Sequence, residues 1–328
     1  MTLKAFAGFV VALSLVGSNA IRLGPTPEVV KAQSSAVTNL GAVTPIDVPG
    51  ATNTLALDIN AAGDIVGRYG SAGRTHGFLR TFAGVFTTID FPGASLTVAT
   101  SINDSGDIVG QYALPTDALP TAPIHRHGFL LKDGEYTSFD PQGSRFTNVL
   151  GINERGDIVG RYCSLAACRL PGMGDFHGFA LHDGEFTFID VPDAVETDAF
   201  KVNGRGQIAG GFVAAGGGEQ VFLLSKGAFT TMALPGGQPV SMDDGGFNER
   251  GDIVGTYCDG AAPCLIALTG THGFLISGGV FTPIDIPGAA ATAAVGINAR
   301  GDVVGSYSDA GGFFHGFLLS EWVYQPSR

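Results

Sequence analysis

The chain repeats one short motif six times, and this repetition constrains its fold more than any other feature. The motif reads Ile-Asn-x-x-Gly-Asp-Ile-Val-Gly-x-Tyr with some variation, and its asparagine recurs at Asn60, Asn103, Asn153, Asn203, Asn248 and Asn298. Subtracting these positions gives intervals of 43, 50, 50, 45 and 50 residues. A regular period of roughly 20–50 residues is typical of solenoids, propellers and other repeat proteins.

Each copy contains four short runs with the composition of β-strands. In the first copy they are residues 55–60, 64–69, 76–80 and 85–90. Asn60 and Gly63 suit a hairpin turn, because asparagine can bond its own turn backbone and glycine tolerates positive φ. The dipeptide at 92–93, Pro-Gly, then ends the last run. Four antiparallel strands at this period match a propeller blade, and a solenoid is the competing architecture.

The two ends of the repeat array favour closure into a propeller. Residues 41–51 match the fourth strand of a copy, residues 279–289, but no first three strands precede them. We therefore predict an all-β, six-bladed propeller of four-stranded antiparallel blades, closed by this N-terminal strand. Residues 322–324 align with residues 279–281, at the start of a fourth strand, so two terminal segments compete for the fourth-strand position of the last copy. The predicted blades are residues 53–94, 95–144, 145–194, 195–237, 238–289, and 290–328 together with 41–51.

The N-terminus has the pattern of a signal peptide. Lys4 precedes an apolar run at 5–16, and small residues end the segment at Ala20. We predict a signal peptide at 1–20, a linker at 21–40 and one propeller domain at 41–328; a membrane anchor is the alternative. The protein is then extracellular or periplasmic, with no membrane span after cleavage, and is expected to be a monomer.

Cysteine usage fits an oxidising compartment. Cys163 lies close to Cys168, and Cys258 lies close to Cys264, each pair after the same repeat element. We predict two local disulfides, and a zinc site is the less favoured alternative because the pairs stand in repeats that are not adjacent.

The charge balance limits the partners. The net charge is −12 and the pI is near 4.8. An acidic surface repels phosphate backbones and anionic membranes, so nucleic acid is not expected as a partner. No cofactor motif occurs, and the expected partner is an unidentified extracellular ligand or protein.

Histidine and aspartate recur together in five copies. The histidine begins the third strand and the aspartate ends the antiparallel fourth, so the two side chains should face each other. The fourth copy lacks both, which a structural hydrogen bond within each blade predicts. The predicted pairs are His76 with Asp90, His127 with Asp140, His177 with Asp190, His272 with Asp285, and His315 with Asp47.

A functional site should lie where the copies differ, because a scaffold repeats and a site does not. One set of differences is the charges of the innermost strands, which line the axis: Asp58, Asp198, Lys201, Asp243 and Asp244. We take Asp58, Lys201, Asp243 and Asp244 as candidate catalytic or metal-binding groups, with solvation at the channel mouth as the alternative. The second set lies in the loops between second and third strands, where the binding candidates are Asp117, His125, Arg126, Arg169, Asp175 and Asp259. The repeated aspartate of the motif, as at Asp107, is expected to stabilise its turn.

The repeated Ile-Asn-x-x-Gly-Asp-Ile-Val-Gly and His-Gly-Phe-Leu motifs resemble those of the HAF-repeat family, over about residues 41–328. Here glycine replaces the alanine that names the family repeat. The resemblance implies an exported repeat protein and no particular activity. Two functions remain open: a non-catalytic binding or scaffold module, or a secreted hydrolase or lyase acting on a sugar or lactone at the channel mouth. Convergence of the axial charges would favour the enzyme, and scattered charges over a filled channel would favour the binding module.

Overall fold

Strands and tight turns make up nearly all of the described chain. The computed structural model describes residues 28–31, 33–34, 41–117, 125–164, 168, 176–216, 219–233, 240–258 and 270–320. The predicted signal peptide and the terminal run at 322–324 lie outside these residues.

The strands follow the order expected from the repeats. Three strands precede the first repeat: β1 (Glu28–Lys31), β2 (Gln33–Ser34) and β3 (Ala42–Ile46). The first three repeats form β4 (Asn53–Ile59), β5 (Ile65–Ser71), β6 (Arg74–Arg80), β7 (Phe86–Ile89), β8 (Leu96–Ile102), β9 (Ile108–Ala113), β10 (His127–Lys132), β11 (Glu135–Phe139), β12 (Phe146–Ile152), β13 (Ile158–Cys163), β14 (His177–His182) and β15 (Glu185–Ile189). The last three form β16 (Ala194–Val202), β17 (Ile208–Ala214), β18 (Glu219–Ser225), β19 (Ala228–Ala233), β20 (Val240–Phe247), β21 (Ile253–Cys258), β22 (Thr271–Ser277), β23 (Val280–Ile284), β24 (Ala291–Ile297), β25 (Val303–Ser308) and β26 (Phe314–Ser320).

The all-β propeller is confirmed, but the prediction of six separate four-stranded blades is wrong. The described strands form five hydrogen-bonded sheets, of four, five or eight strands. The eight-stranded sheet spans the first two repeats, because Thr75 of β6 pairs in parallel with Leu96 of β8. Two other sheets gain a fifth strand from the N-terminal segment. Contacts between repeats therefore change the number and size of the sheets that the period alone suggests.

The N-terminal segment runs along the outer edges of the last three repeats. β1 pairs in parallel with β19, and β2 pairs in parallel with β23, so the stretch predicted as a linker contains two short strands. β3 then pairs antiparallel with β26, with Pro45 opposite Phe317. Because β3 comes from the start of the chain and β26 from its last repeat, this pairing joins the two ends of the array. It also covers a sheet edge that would otherwise offer unpaired backbone groups.

A phenylalanine from each repeat forms the core between strands. The Phe of each His-Gly-Phe motif and its equivalents are fully buried: Phe78, Phe129, Phe179, Phe222, Phe274 and Phe317. Each ring lies over the second glycine of the motif, which stands two residues before the tyrosine. A Cβ atom at Gly110 would stand 2.8 Å from the ring of Phe129 and 2.0 Å from the Val98 carbonyl oxygen. The motif glycine is therefore needed because the aromatic ring occupies the space of a side chain.

The motif asparagine joins neighbouring repeats as well as closing its own turn. The Oδ1 of Asn153 accepts a hydrogen bond from the backbone N–H of Asp157, four residues on, at 3.0 Å. Its Nδ2 donates to the Asn203 carbonyl oxygen of the next repeat at 2.9 Å. The same link joins four further asparagines to the next carbonyl, at 3.0–3.3 Å, in the order Asn60 to Asn103, Asn103 to Asn153, Asn248 to Asn298, and Asn298 to Asn60. The last of these contacts closes the circle of repeats.

Candidate functional site

The axis of the propeller is almost completely filled. Each innermost strand carries a β-bulge three residues before the motif asparagine, as between Ala56 and Asp58. The residues at the bulges surround a cavity of only about 10 Å³: Leu57, Thr100, Leu150, Phe200, Gly245 and Val295. A space of this size holds about one water molecule. Between these described residues the axis therefore has no room for a substrate.

Two of the predicted axial charges meet beside this cavity. The Nζ of Lys201 donates to the Oδ2 of Asp58 at 2.8 Å and to the Oγ of Ser101 at 3.0 Å. Ser101 also bonds the same Asp58 oxygen, as does the backbone N–H of Ile102 at 3.2 Å. The side chains of Asp58, Ser101 and Lys201 are buried. They come from three repeats, so the cluster ties distant parts of the chain across the axis.

Another predicted axial charge, Asp198, does not join this cluster. Asp198 is buried and forms an ion pair with Arg161, Oδ2 to Nη1, at 2.6 Å. Asp243 and Asp244 belong to β20, and their side chains lie outside the described part of the structure. The described axial charges thus form two separate ion pairs, Asp58 with Lys201 and Asp198 with Arg161.

The structure places all five predicted histidine–aspartate pairs in contact. The distances from Nδ1 to the nearest carboxylate oxygen are 2.9 Å for His76–Asp90, 2.6 Å for His127–Asp140, 2.7 Å for His177–Asp190 and His272–Asp285, and 3.0 Å for His315–Asp47. The motif tyrosine stacks on or tilts over each of these histidines, as Tyr69 does over His76 at 5.2 Å between centroids. This aromatic contact was not predicted, although the tyrosine is part of the same repeat. These pairs lie on the outer strands, away from the axis.

The residues that differ most between repeats surround one end of the axis. This end carries the starts of the innermost strands and the loops between second and third strands. The residue after each motif glycine in the second strand varies: Arg68, Gln111, Arg161, Gly211, Thr256 and Ser306. Their described partners across the ladder on the innermost strand vary as well: Leu55, Val98, Asn148, Asp198 and Ala293. We call this set, with Leu96 and Arg126, the axial mouth.

The axial mouth has an apolar side and a polar side. Leu57, Val98 and Val295 form a buried cluster, against which Leu55, Leu96 and Ala293 pack. These last three are only partly buried, so an apolar surface reaches solvent there. The third and fourth repeats place Asn148, Arg161 and Asp198 at the corresponding positions. The two sides give the mouth an amphipathic lining, which is typical of a ligand site.

Three arginines lie near one another at this end. Arg161 stands over the ring of Phe176 at 5.0 Å, and Arg126 stands over the ring of Phe146 at 5.4 Å. The two rings pack edge to face at 5.7 Å between centroids. Burial, and then repulsion by Arg68 and Arg161, lowers the pKa of Arg126 to about 10. The guanidinium of Arg126 is thus charged at neutral pH, in a place where that charge is costly.

Several polar atoms at this end are buried without a hydrogen-bond partner in the described part of the chain. They are the Oε1 of Gln111, the Oδ1 of Asn148 and the Nε2 of His125. Gln111 and Asn148 are each only 6% exposed. Buried polar atoms are normally satisfied by protein groups or by ordered water, so these three atoms are exceptions among the described residues. His125 and Arg126 were predicted candidates, whereas Arg68, Gln111, Asn148 and Arg161 were not. The variation at one position of the motif was the available signal.

The remaining loop candidates are less informative. Asp117 ends a short 3-10 helix and accepts a hydrogen bond from the backbone N–H of Leu114 at 2.5 Å. Its Oδ2 also lies 3.6 Å from the Nε2 of His127. Arg169, Asp175 and Asp259 lie outside the described residues. A larger groove of about 650 Å³ borders His177 and the segment 190–197, and one of about 320 Å³ borders His315.

The predicted disulfide between Cys163 and Cys168 is confirmed. Cys258 is also disulfide-bonded, while Cys264 lies outside the described residues. Among the residues that the structure describes, no group of three or more His, Cys, Asp or Glu side chains is placed to hold a metal ion. Within that same part of the chain, no helix is long and apolar enough to cross a bilayer.

Comparison with known proteins finds similar folds only. No family model matches the sequence, and no curated protein matches it. A luciferin-regenerating enzyme superimposes with a TM-score of 0.53 at 10% identity, covering 85% of this chain and 95% of its own. A lectin from Aleuria aurantia, in complex with Fucα1-6GlcNAc, gives a TM-score of 0.50 at 13% identity, with coverage of 82% and 92%. Virginiamycin B lyase from Staphylococcus aureus gives 0.47 at 10% identity, with coverage of 85% and 99%. At these identities the likeness shows the propeller fold alone.

Proposed function

We propose that this protein is an exported, HAF-like repeat propeller that binds a small ligand without catalysis at its axial mouth. The observation that carries the proposal is the lining of the mouth. There the repeats differ, and a partly exposed apolar side is combined with arginine and amide side chains at the corresponding positions of other repeats. The disulfide between Cys163 and Cys168 supports export, because such bonds persist in oxidising compartments.

The fold itself is compatible with a binding protein and with an enzyme. Among the similar structures, one is a lectin bound to a fucosylated sugar and another is a luciferin-regenerating enzyme. A shared propeller therefore does not choose between the two classes, and the choice depends on the residues at the site.

A hydrolase or lyase is the second candidate, and the cluster of Ser101, Lys201 and Asp58 is the observation in its favour. Ser101 and Lys201 stand at hydrogen-bond distance, as a nucleophile and a base would. However, the Nζ of Lys201 also contacts the Oδ2 of Asp58 at 2.8 Å, the arrangement of a buried structural ion pair. Ser101 is also fully buried beside a cavity of about 10 Å³. These features favour a structural role for the cluster.

The proposal is tested by screening the secreted protein against a library of sugars, sugar acids, amino acids and nucleosides with ligand-observed NMR. We expect at least one compound to bind wild type and to lose binding in Ala293→Trp, because a large side chain there fills the mouth. Ala62→Trp places the same side chain at an exposed turn at the opposite end of the strands and should bind normally. Binding that survives Ala293→Trp, or the absence of any bound compound, would overturn the proposed site. Turnover of a bound compound that Ser101→Ala abolishes would establish the enzyme instead.

A further inference from the structure

A groove lies where the last repeat meets the first. Its volume is about 320 Å³, within the usual range for small-molecule sites. Its walls are the turn before β26, the start of β26, and the chain between β3 and β4. None of the described residues that line it belongs to the axial mouth. We call it the rim groove and define it by four of its side chains, Asp47, Asp309, Phe313 and His315.

Hydrogen bonds hold both walls of the rim groove in place. On one wall, the backbone N–H of Val48 donates to the Oγ1 of Thr54 at 3.0 Å. On the other, the backbone N–H of Asp309 donates to the carbonyl oxygen of Phe313 at 3.0 Å. The pairing of β3 with β26 joins the two walls. The groove is therefore preformed, and a ligand does not have to order these segments when it binds.

The turn before β26 fixes one oxygen of Asp309 and leaves the other near His315. The Oδ1 accepts hydrogen bonds from the backbone N–H groups of Gly311 at 2.8 Å and Phe313 at 3.0 Å. The Oδ2 lies 3.6 Å from the Nε2 of His315, and the side chain of Asp309 is 42% exposed. The hydrogen bond from Phe313, with further contributions from Gly311 and His315, lowers the pKa of Asp309. The carboxylate of Asp309 is thus charged at neutral pH and accessible to a ligand.

His315 presents a second acceptor beside this carboxylate. Its Nδ1 lies 3.0 Å from the Oδ1 of Asp47. A carboxylate only accepts, so in the neutral imidazole the Nδ1 carries the proton and the Nε2 has a lone pair. Two acceptors, the Nε2 of His315 and the Oδ2 of Asp309, therefore face each other, and no group in the described part of the chain donates to both. A ligand group with two or more polar hydrogens can do so.

The charge of the rim groove and its exposed ring favour a cation. Asp47 and Asp309 bring two carboxylates, and the described lining contains no lysine or arginine. The ring of Phe313, also in the lining, is 60% exposed. The face of an aromatic ring attracts cations and packs against C–H groups. An ammonium group, with three N–H donors and a positive charge, fits these features better than a hydroxyl group, which has one donor and no charge.

A second groove, at the equivalent place in the third repeat, indicates which feature is particular to the rim groove. Its volume is about 650 Å³, and it too contains a paired histidine and aspartate, His177 and Asp190. In the sequence, however, Ser164 stands where the last repeat has Asp309. The repeat itself therefore produces the groove, whereas the second carboxylate is specific to the last repeat.

We infer that the rim groove binds a primary ammonium group attached to a small C–H surface, as in an amino sugar or a lysine side chain. The ammonium donates to the Nε2 of His315 and to the Oδ2 of Asp309. The carbon atoms next to it pack on the ring of Phe313. This site is separate from the small-molecule site proposed at the axial mouth.

Isothermal titration calorimetry on the whole chain at neutral pH tests the inference with matched probes. D-glucosamine is compared with D-glucose, and Nα-acetyl-L-lysine amide is compared with the neutral Nα-acetyl-L-norleucine amide. We expect at least one ammonium compound to bind about tenfold or more tightly than its neutral counterpart, because its hydrogen bonds are charge-assisted. The probe that binds identifies the source of the ammonium. If neither ammonium compound binds more tightly than its counterpart, the inference is wrong.

A trimethylated probe separates hydrogen bonding from simple charge attraction. Nα-acetyl-Nε-trimethyl-L-lysine amide keeps the positive charge but has no N–H group on the cation. We expect it to bind about tenfold more weakly than the better ammonium probe, because it cannot donate to His315 or Asp309. Equal binding would refute the bridging of the two acceptors.

Variants locate the binding. Asp309→Asn should weaken ammonium binding about tenfold, although its amide oxygen can still accept the two backbone bonds of the turn. Asp133→Asn, at an exposed turn between β10 and β11, is the matched control and should bind normally. Phe313→Ala should weaken binding about two- to fivefold, whereas Phe82→Ala, which removes an equally exposed ring elsewhere, should not. Unchanged binding in Asp309→Asn would refute the site, and unchanged binding in Phe313→Ala would refute the role of the ring.

Ala293→Trp separates the rim groove from the axial mouth. It should leave ammonium binding unchanged, because Ala293 does not line the rim groove. If ammonium binding is lost in Ala293→Trp and kept in Asp309→Asn, the probe binds in the axial mouth, so the rim groove is wrong while the proposed function stands. Melting temperatures of all variants close to that of wild type establish that the changes report on binding.

Discussion

Replacing Asn153 by aspartate should destabilise the protein strongly, although the two side chains have the same shape. Asn153 is 4% exposed. Its Nδ2 donates to the Oδ2 of Asp157 at 2.7 Å and to the carbonyl oxygen of Asn203 at 2.9 Å. Its Oδ1 accepts from the backbone N–H groups of Arg155 and Asp157, both at 3.0 Å. Aspartate keeps the two accepted bonds but cannot donate either of the others.

The magnitude follows from those two lost donors. A hydrogen bond to a charged group contributes about 1.5–3 kcal/mol, and a buried carbonyl left without its donor costs about 1–3 kcal/mol. We expect Asn153→Asp to lower the free energy of unfolding by roughly 3–5 kcal/mol. The new carboxylate would also face that of Asp157, so the loss should become smaller when acid protonates the new side chain and restores one donor.

Urea unfolding followed by circular dichroism, at pH 7 and at pH 4, measures this effect. Asn53→Asp is the matched control, because Asn53 is partly exposed and its side chain makes one long hydrogen bond of 3.4 Å, to Thr52. The control should stay within about 0.5 kcal/mol of wild type. A loss below about 1 kcal/mol in Asn153→Asp would refute the reasoning that the motif asparagine holds neighbouring repeats together.

Three further predictions concern packing, the outer pairs and acid stability. Gly296→Ala should destabilise the protein by about 1–3 kcal/mol in thermal unfolding, because the added Cβ would stand 2.8 Å from the Cα of Asp58. Gly216→Ala is the control and should leave the melting temperature unchanged, because open space surrounds Gly216. Equal melting temperatures for the two variants would contradict this prediction. His127→Ala and Asp140→Ala should each cost about 1–2 kcal/mol and the double variant less than their sum, whereas strict additivity in urea unfolding would argue against the contact at 2.6 Å. Burial raises the pKa of Asp157 and of Asp252, but side-chain hydrogen bonds outweigh it, so both pKa values are lower than usual. These bonds come from Asn153, Arg155 and His182 to Asp157, and from Ser277, Asn248 and Arg250 to Asp252. Their contribution to stability is therefore present above the ordinary aspartate pKa of about 3.9 and is lost as pH falls through the lower folded value. Urea midpoints measured from pH 6 to pH 2.5 should fall at the acid end, and Asp252→Asn should reduce that fall; a flat profile for wild type would contradict it.

Much of the local structure could be predicted because its causes are local. The strand runs follow from the alternation and turn residues within each copy, and the joint loss of histidine and aspartate in the fourth copy indicated that they face each other. The resemblance of residues 41–51 to a fourth strand also indicated the pairing of β3 with β26. Antiparallel neighbours joined by short turns have a register that the turn sets, so spacing in the sequence translates into contact.

The number of sheets could not be predicted in the same way. The period suggested six equal units, but one parallel pairing at Thr75 and Leu96 merges two of them, and β1 and β2 enlarge two others. These pairings depend on how closely neighbouring repeats approach, which no single copy encodes. The asparagine links between repeats were missed for the same reason, since the turn within one copy already explains the residue.

The candidate site shows the same division more sharply. The sequence alone determined which side chains repeat and which do not, and therefore that Asp58, Lys201 and Arg126 were worth attention. Only the tertiary structure decided that Lys201 is paired and enclosed with Asp58, 143 residues away, while Arg126 stands over the ring of Phe146. The physical reason is that closure around an axis brings together unlike residues from distant repeats, and their mutual distances depend on the packing of every repeat between them.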